Sequence, residues 1–312
     1  MKKTILAMLA LFAAAAVAQD QTAPPPPQDA GQQFMTNLVQ TEEAPSFSDL
    51  YCAGFMTNEN ISHANLITGG EFSPDQTQFS RGTTVFVGGT GMQAGSEYSV
   101  IRELKDPNHF EAFTGQRAAK LAAGQPYAEL GRIKVLAIRG NQAVAQIEFS
   151  CQNMTLGDIV VPFKEHPAVS YKKSGSMERF PSGPGKVTAR IVMAKEFDTD
   201  VGPGQKVYIN AGSDKGVKVG DYFRAVRSYD PDKLSGVDYL SYKAPVGEDT
   251  QKTPGTVTKQ TAKELPVRNV GEMIVLNVTP TSSTAMITSS LEDVIIGDRV
   301  ELETGSDQNP GQ

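Results

Sequence analysis

The residues able to do chemistry are few and scattered. The chain has three histidines, His63, His109 and His166, and two cysteines, Cys52 and Cys151. A zinc site needs several nitrogen or sulfur donors at short, regular spacing, and no such spacing occurs. Each histidine therefore reads as a surface or turn residue. No G-x-S-x-G run offers a nucleophilic serine on a strand-to-helix elbow. Gly88-Gly89-Thr90-Gly91 has the glycine density of a phosphate cradle, but no G-K-[ST] follows it. The acid pairs Asp198/Asp200 and Asp230/Asp232 place oxygens at alternate positions, as calcium prefers. Neither continues into the glycine and distal glutamate of a calcium loop, so both read as solvated loop acids. No catalytic pair, metal or cofactor is expected.

The cysteines bear on compartment. In an oxidising environment Cys52 and Cys151 would pair, closing a loop of about 100 residues, for which chain entropy gives roughly 4–5 kcal/mol. The alternative is two buried thiols, one in each of two strands. Lys2 and Lys3 precede an apolar run over 5–17, and Ala16-Val17-Ala18 supplies small residues before a cleavage point. Residues 1–18 thus read as a signal peptide cut after Ala18. The run is too short to anchor in a bilayer, and no other segment approaches a transmembrane helix. The expected location is the periplasm, with release outside the cell as the variant. Loss of Lys2 and Lys3 moves the formal charge from −6 to −8. An acidic chain without a basic block argues against nucleic acid as a partner.

The elements that would position these residues are strands and turns. Residues 19–48, with prolines at 24–27, read as a Pro/Gln-rich tether, in which 34–38 is at most one helical turn. A first module spans 49–163, a Lys/Ser/Gly/Pro linker 164–185, a second module 186–303, and a tail 304–312. In the first module, Ala143, Ala145, Ile147 and Phe149 alternate with Val144, Gln146, Glu148 and Ser150, as on a half-buried strand. Arg139-Gly140-Asn141 reads as its hairpin turn. The alanine-rich stretch 116–124 is the best helix candidate.

The modules repeat one another. The stretch 204–227 reads GQKVYINAGSDKGVKVGDYFRAVR, and from Gly82 the chain reads GTTVFVGGTGMQAGSEYSVIR, the same layout with three residues fewer in the first turn. Gly91, Gly95 and Arg102 match Gly216, Gly220 and Arg227 at one offset. Gly131, Ala145, Ile147 and Gly157-Asp158 match Gly271, Ala285, Ile287 and Gly297-Asp298 at another. Short strands with turn signals every 8–12 residues predict a mainly β fold, two tandem small barrels or sandwiches. Gly91, Gly95, Gly157, Gly212, Gly216, Gly220 and Gly297 then read as turn glycines. Asp158, Asp221 and Asp298 read as turn aspartates bonding the backbone amides that follow them.

The order VYINAGSDKGVKVGDYFRAVR, VGEMIVL, SSLEDVIIGDRVEL resembles the C-terminal domain of flagellar assembly protein T, a periplasmic family, over the second module. The resemblance implies a small β-barrel-like module of the kind found in exported bacterial envelope proteins. It reaches the first module only through the repeat, and the flagellar family's N-terminal domains are not recognisable here.

The function expected is that of a non-enzymatic envelope scaffold or interaction module. Its partner would be an envelope protein, met through the long polar excursion 228–269, where Tyr239 and Tyr242 form a candidate interaction surface. Two alternatives are binding of peptidoglycan or another polysaccharide, and a hydrolase with its site between the modules.

Overall fold

The computed structural model describes residues 44–169, 171, 177–181, 185–228 and 265–303. The expected signal peptide, the tether up to residue 43, Asp230/Asp232, Tyr239 and Tyr242, most of the polar excursion and the tail lie outside the described residues.

The chain enters through a short helix α1 (Phe47–Tyr51) and strand β1 (Phe55–Thr57). Ser46 caps α1: its hydroxyl accepts from the Asp49 amide while the Asp49 carboxylate takes the Ser46 amide, satisfying two otherwise orphaned donors. There follow β2 (Leu66–Gly70), β3 (Gln78–Phe79), β4 (Thr84–Gly88), β5 (Glu97–Glu103) and helix α2 (Gln116–Ala123). Then come β6 (Gln125–Arg139), β7 (Gln142–Ser150), β8 (Met154–Thr155) and β9 (Ile159–Pro162). Hydrogen bonding runs β2-β4-β7-β6-β5-β9 and returns to β2, closing an antiparallel barrel, with β1 added beside β6. The helix falls on the predicted alanine-rich stretch. Gly140, at φ 59°, turns the chain between Arg139 and Gln142 in the predicted hairpin.

The second module has β10 (Thr188–Ala194), β11 (Asp200–Val201), β12 (Lys206–Ile209), a 3₁₀ turn (Ser213–Lys215) and β13 (Tyr222–Arg227). It ends with β14 (Arg268–Val278), β15 (Ser283–Ser290), β16 (Val294–Ile295) and β17 (Arg299–Leu302). The order β10-β12-β15-β14-β13-β17 is again a closed barrel. The two barrels match strand for strand, down to their irregularities. Val85 faces Ala145 as Val207 faces Ala285. Tyr98 faces Ile133 as Phe223 faces Met273. Bulges interrupt β6–β7 at Val135/Ala137 and β14–β15 at Val275/Asn277. A one-residue slip would turn each apolar set outward, so conserving the register conserves the core. Full closure also leaves no unpaired barrel edge.

Both interiors are filled by side chains. Ile67, Val85, Val87, Val100, Ile133, Val135 and Ile147 fill the first. Ile191, Val207, Ile209, Phe223, Met273, Val275 and Ile287 fill the second. The outward positions differ. On β7 they alternate with the core and meet solvent, whereas β12, β13 and β15 are buried on nearly every residue. The reason is that the first module covers one outer face of the second barrel.

Candidate functional site

Three places gather polar or aromatic side chains: the contact between barrels, a brace repeated in each barrel, and a corner beside the disulfide.

The contact is built by the 47–58 segment and α2. Ala53 packs with Tyr222, Ile274, Leu276 and Met286, and Met56 packs with Tyr208, Val192 and Met193. Hydroxyls on the β14–β15 turn and on β15 satisfy the carbonyls of the covering segment. Ser282 and Thr279 both donate to Met56 O at 2.7 Å, and Thr284 donates to Gly54 O at 2.8 Å. Buried Gln116 on α2 donates to Val192 O at 2.9 Å. Arg190 lies over the Phe113 ring at 4.9 Å. Lys206 on β12 pairs with Asp49 on α1. Gly54 is needed here: at φ 69° it approaches so closely that a Cβ would lie 2.7 Å from both Tyr127 O and the Tyr208 hydroxyl. Burial pushes the Tyr208 phenol far above its usual range, and Glu129 and Glu196 add to that. The junction is thus filled by side chains rather than opened as a cleft.

The brace involves residues that the repeat displayed but did not pair. Arg102 donates from Nε and Nη2 to the two oxygens of Asp158, at 2.7 and 2.8 Å, and from Nη2 to Asn153 O at 3.2 Å. Arg227 does the same to Asp298 at 2.8 and 2.6 Å and to Asp293 O at 2.8 Å. Asp158 and Asp298 are buried. Asp158, Asp221 and Asp298 accept from the amides of Thr155, Lys218 and Ile295 at 2.6, 2.8 and 2.9 Å. These amides precede the aspartates by three residues, where the sequence had suggested amides that follow. Gly157, Gly220 and Gly297, at φ 87°, 89° and 106°, make the step from amide to carboxylate short. Gly91, Gly95 and Gly216 also have positive φ, but Gly212 is extended at φ −128°. Gly212 serves close approach instead, since a Cβ there would lie 2.1 Å from Thr279 O.

The corner lies where α1 meets β6. Cys52 and Cys151 form a disulfide, the first of the two states expected from the sequence. Beside it, Phe163 stacks on Tyr51 with ring centroids 5.9 Å apart, His166 meets Tyr51 edge-on at 4.9 Å, and Phe47 meets Phe149 edge-on at 5.5 Å. His166 Nε2 lies 3.2 Å from Glu129 Oε1, and Glu129 Oε2 accepts the Gly54 amide at 3.0 Å. His166 is therefore largely buried and partnered, which corrects its reading as a surface residue. His63 fits that reading better, half exposed and 3.3 Å from Glu103, and His109 is exposed. Glu103 also receives the Tyr127 hydroxyl at 3.1 Å. Burial, then this bond to Glu103, raises the Tyr127 pKa. An open depression lined by Asn58, Asn60, His63, Glu103 and Gln125 surrounds that pair.

Asp198 and Asp200, read from the sequence as solvated loop acids, are exposed and bonded by neighbouring side chains: Gln205 donates to Asp198 at 3.2 Å and Thr199 to Asp200 at 2.8 Å. Among the described residues no group of three or more histidine, cysteine or acidic side chains is placed to hold a metal ion. Among them, too, no helix is long and apolar enough to cross a membrane. In comparison with known proteins, no family model and no curated protein matches the chain.

Proposed function

We propose that this is a non-enzymatic protein exported to the periplasm, where its two barrels act as a rigid scaffold or interaction module in an envelope structure. One observation carries the reading: the barrel interiors are filled by side chains, and the second barrel uses an outer face to hold part of the first module. The second barrel's outer face is buried under α1, β1 and α2 through apolar contacts and hydroxyl-to-carbonyl bonds. A surface built to hold another protein element is a surface for assembly. The disulfide supports export, because such bonds persist outside the cytosol. The basic-then-apolar N-terminus and the resemblance to the flagellar assembly module support the envelope as the place. Cross-linking in intact envelopes is expected to give discrete protein adducts and a chain whose thiols resist alkylation without reductant. A cytosolic chain with two free thiols would overturn it.

A second reading, binding of an envelope polysaccharide, is favoured by the open depression, whose amides, carboxylate and imidazole suit sugar hydroxyls. Sedimentation with purified sacculi separates the two. Binding lost in Glu103→Gln and His63→Ala would favour the sugar, and no binding above that of a control acidic protein would end this reading.

A further inference from the structure

The repeat makes the covered face of the second barrel a guide to the bare face of the first. Covered positions Tyr208, Thr284 and Leu276 correspond, through the matched registers, to Phe86, Val144 and Leu136. Tyr208, Thr284 and Leu276 are at most 1% exposed, whereas Leu136 is 54% exposed and Phe86 and Val144 are half-buried. Nearby Ile138, matching Val278, is also exposed; Gln142 borders the patch, and Lys134 and Gln146 stand where the covered face has Ile274 and Met286, so the apolar part of the bare face is the narrower one. An apolar centre inside a polar rim is the anatomy of a protein contact.

The second barrel carries the other half. In the first module, the 53–57 segment lies beside β6 and presents Met56 to the neighbouring barrel. In the second, residues 177–181 come up beside β14, where the Asn269 amide donates to Arg179 O at 2.8 Å and Arg179 pairs with Glu292. Phe180, next in line, is 57% exposed. Among the described residues, the chain therefore has a bare acceptor face on the first barrel and an exposed donor segment beside the second.

We propose that copies of this chain associate head to tail, the Phe180 segment of one copy covering the Leu136 face of the next and repeating the contact that joins the two barrels. This deepens the scaffold reading and rests on it. Such a contact joins two different surfaces, so it leads to a ring or an open series rather than to a closed pair.

The experiment uses the full chain as exported, with the Cys52–Cys151 bond formed, in sedimentation over a wide range of concentration. Mass is expected to rise past that of a dimer. Leu136→Asp and Phe180→Asp are each expected to weaken association at least tenfold with unchanged unfolding midpoints. Mixed, the two variants retain one intact donor and one intact acceptor, so they should form a heterodimer and stop there. A monomer at every concentration, a symmetric dimer untouched by either change, or a mixture that forms no heterodimer would overturn the proposal. Those results would leave the scaffold reading to its own cross-linking test.

Discussion

Arg227 and Asp298 meet through two parallel hydrogen bonds, at 2.8 and 2.6 Å, at the end of the β13–β17 pairing, and tie β13 to the turn before β17. The carboxylate is buried while a quarter of the guanidinium side chain is exposed. The bonds to Asp298, first of all, raise the Arg227 pKa, so the cation is fixed. A two-pronged pair of this kind has a defined geometry as well as charge.

Breaking the pair from one side should therefore cost more than removing both partners. Arg227→Met leaves a buried carboxylate facing one amide, a loss of about 2–4 kcal/mol. Arg227→Met with Asp298→Asn should recover part of it. Urea unfolding of the four proteins in a double-mutant cycle measures the coupling. Purely additive losses would show that the brace is two independent contacts. Arg102 and Asp158 should behave alike in the first barrel.

Asp49 links α1 to the second barrel through Lys206. Burial alone would raise its pKa, but bonds from Lys206 and Ser46 outweigh burial and hold it below the usual carboxylate value. A depressed folded value means the contribution is complete above the unfolded pKa of about 4 and is lost as pH falls through the folded value. Solvent screens this pair, so about 1 kcal/mol or less is at stake. Asp49→Asn should lower stability at pH 7 and flatten the acid limb of a stability–pH curve below pH 4. An unchanged acid limb would exclude the link.

Much of the barrel was legible because closing a strand ring demands period-two patterning and fixed turn glycines, and both modules carry them. Gly131/Gly271 and Ala145/Ala285 repeat because the same bulges and close packing recur there. The Arg102–Asp158 brace was half visible: the same arginine and the same aspartate recurred at two offsets, and only the β5–β9 pairing brings them together. The barrel contact was not legible. Met56, Tyr208 and Leu276 look like ordinary strand residues, and burial on a second face leaves no separate period. One hint was there, in the near-continuous apolar run of β14, where β6 has Lys134 in place of Ile274. His166 escaped because its partner Glu129 is remote in sequence.

The disulfide staples α1, and with it the segment that covers the second barrel, to the end of β7. Cys52 and Cys151 are 99 residues apart, so chain entropy assigns the bond roughly 4–5 kcal/mol. Cys52→Ser with Cys151→Ser is expected to lower stability by about 3–5 kcal/mol at constant fold, read by guanidinium unfolding. Intact mass after alkylation should differ with and without prior reduction in the native chain only. Labelling of both thiols without reductant would refute the bond.

Tyr208 gives the most specific test of the barrel contact. Its hydroxyl is buried under Gly54 and has no hydrogen-bond partner among the described residues. An unpartnered buried hydroxyl costs stability, so Tyr208→Phe should raise stability at pH 7 by about 1 kcal/mol. Ionisation is a second handle. Burial and the nearby Glu129 and Glu196 carboxylates raise the phenol's pKa in the folded chain. The protonated folded form is then favoured fully below the unfolded value near 10, and that contribution falls away as pH rises above it. Ultraviolet titration should show a late step that appears only as the chain unfolds, and Tyr208→Phe should remove that step. If every tyrosine titrates reversibly in the folded protein, the Tyr208 face is open to solvent and the two barrels are not joined as described.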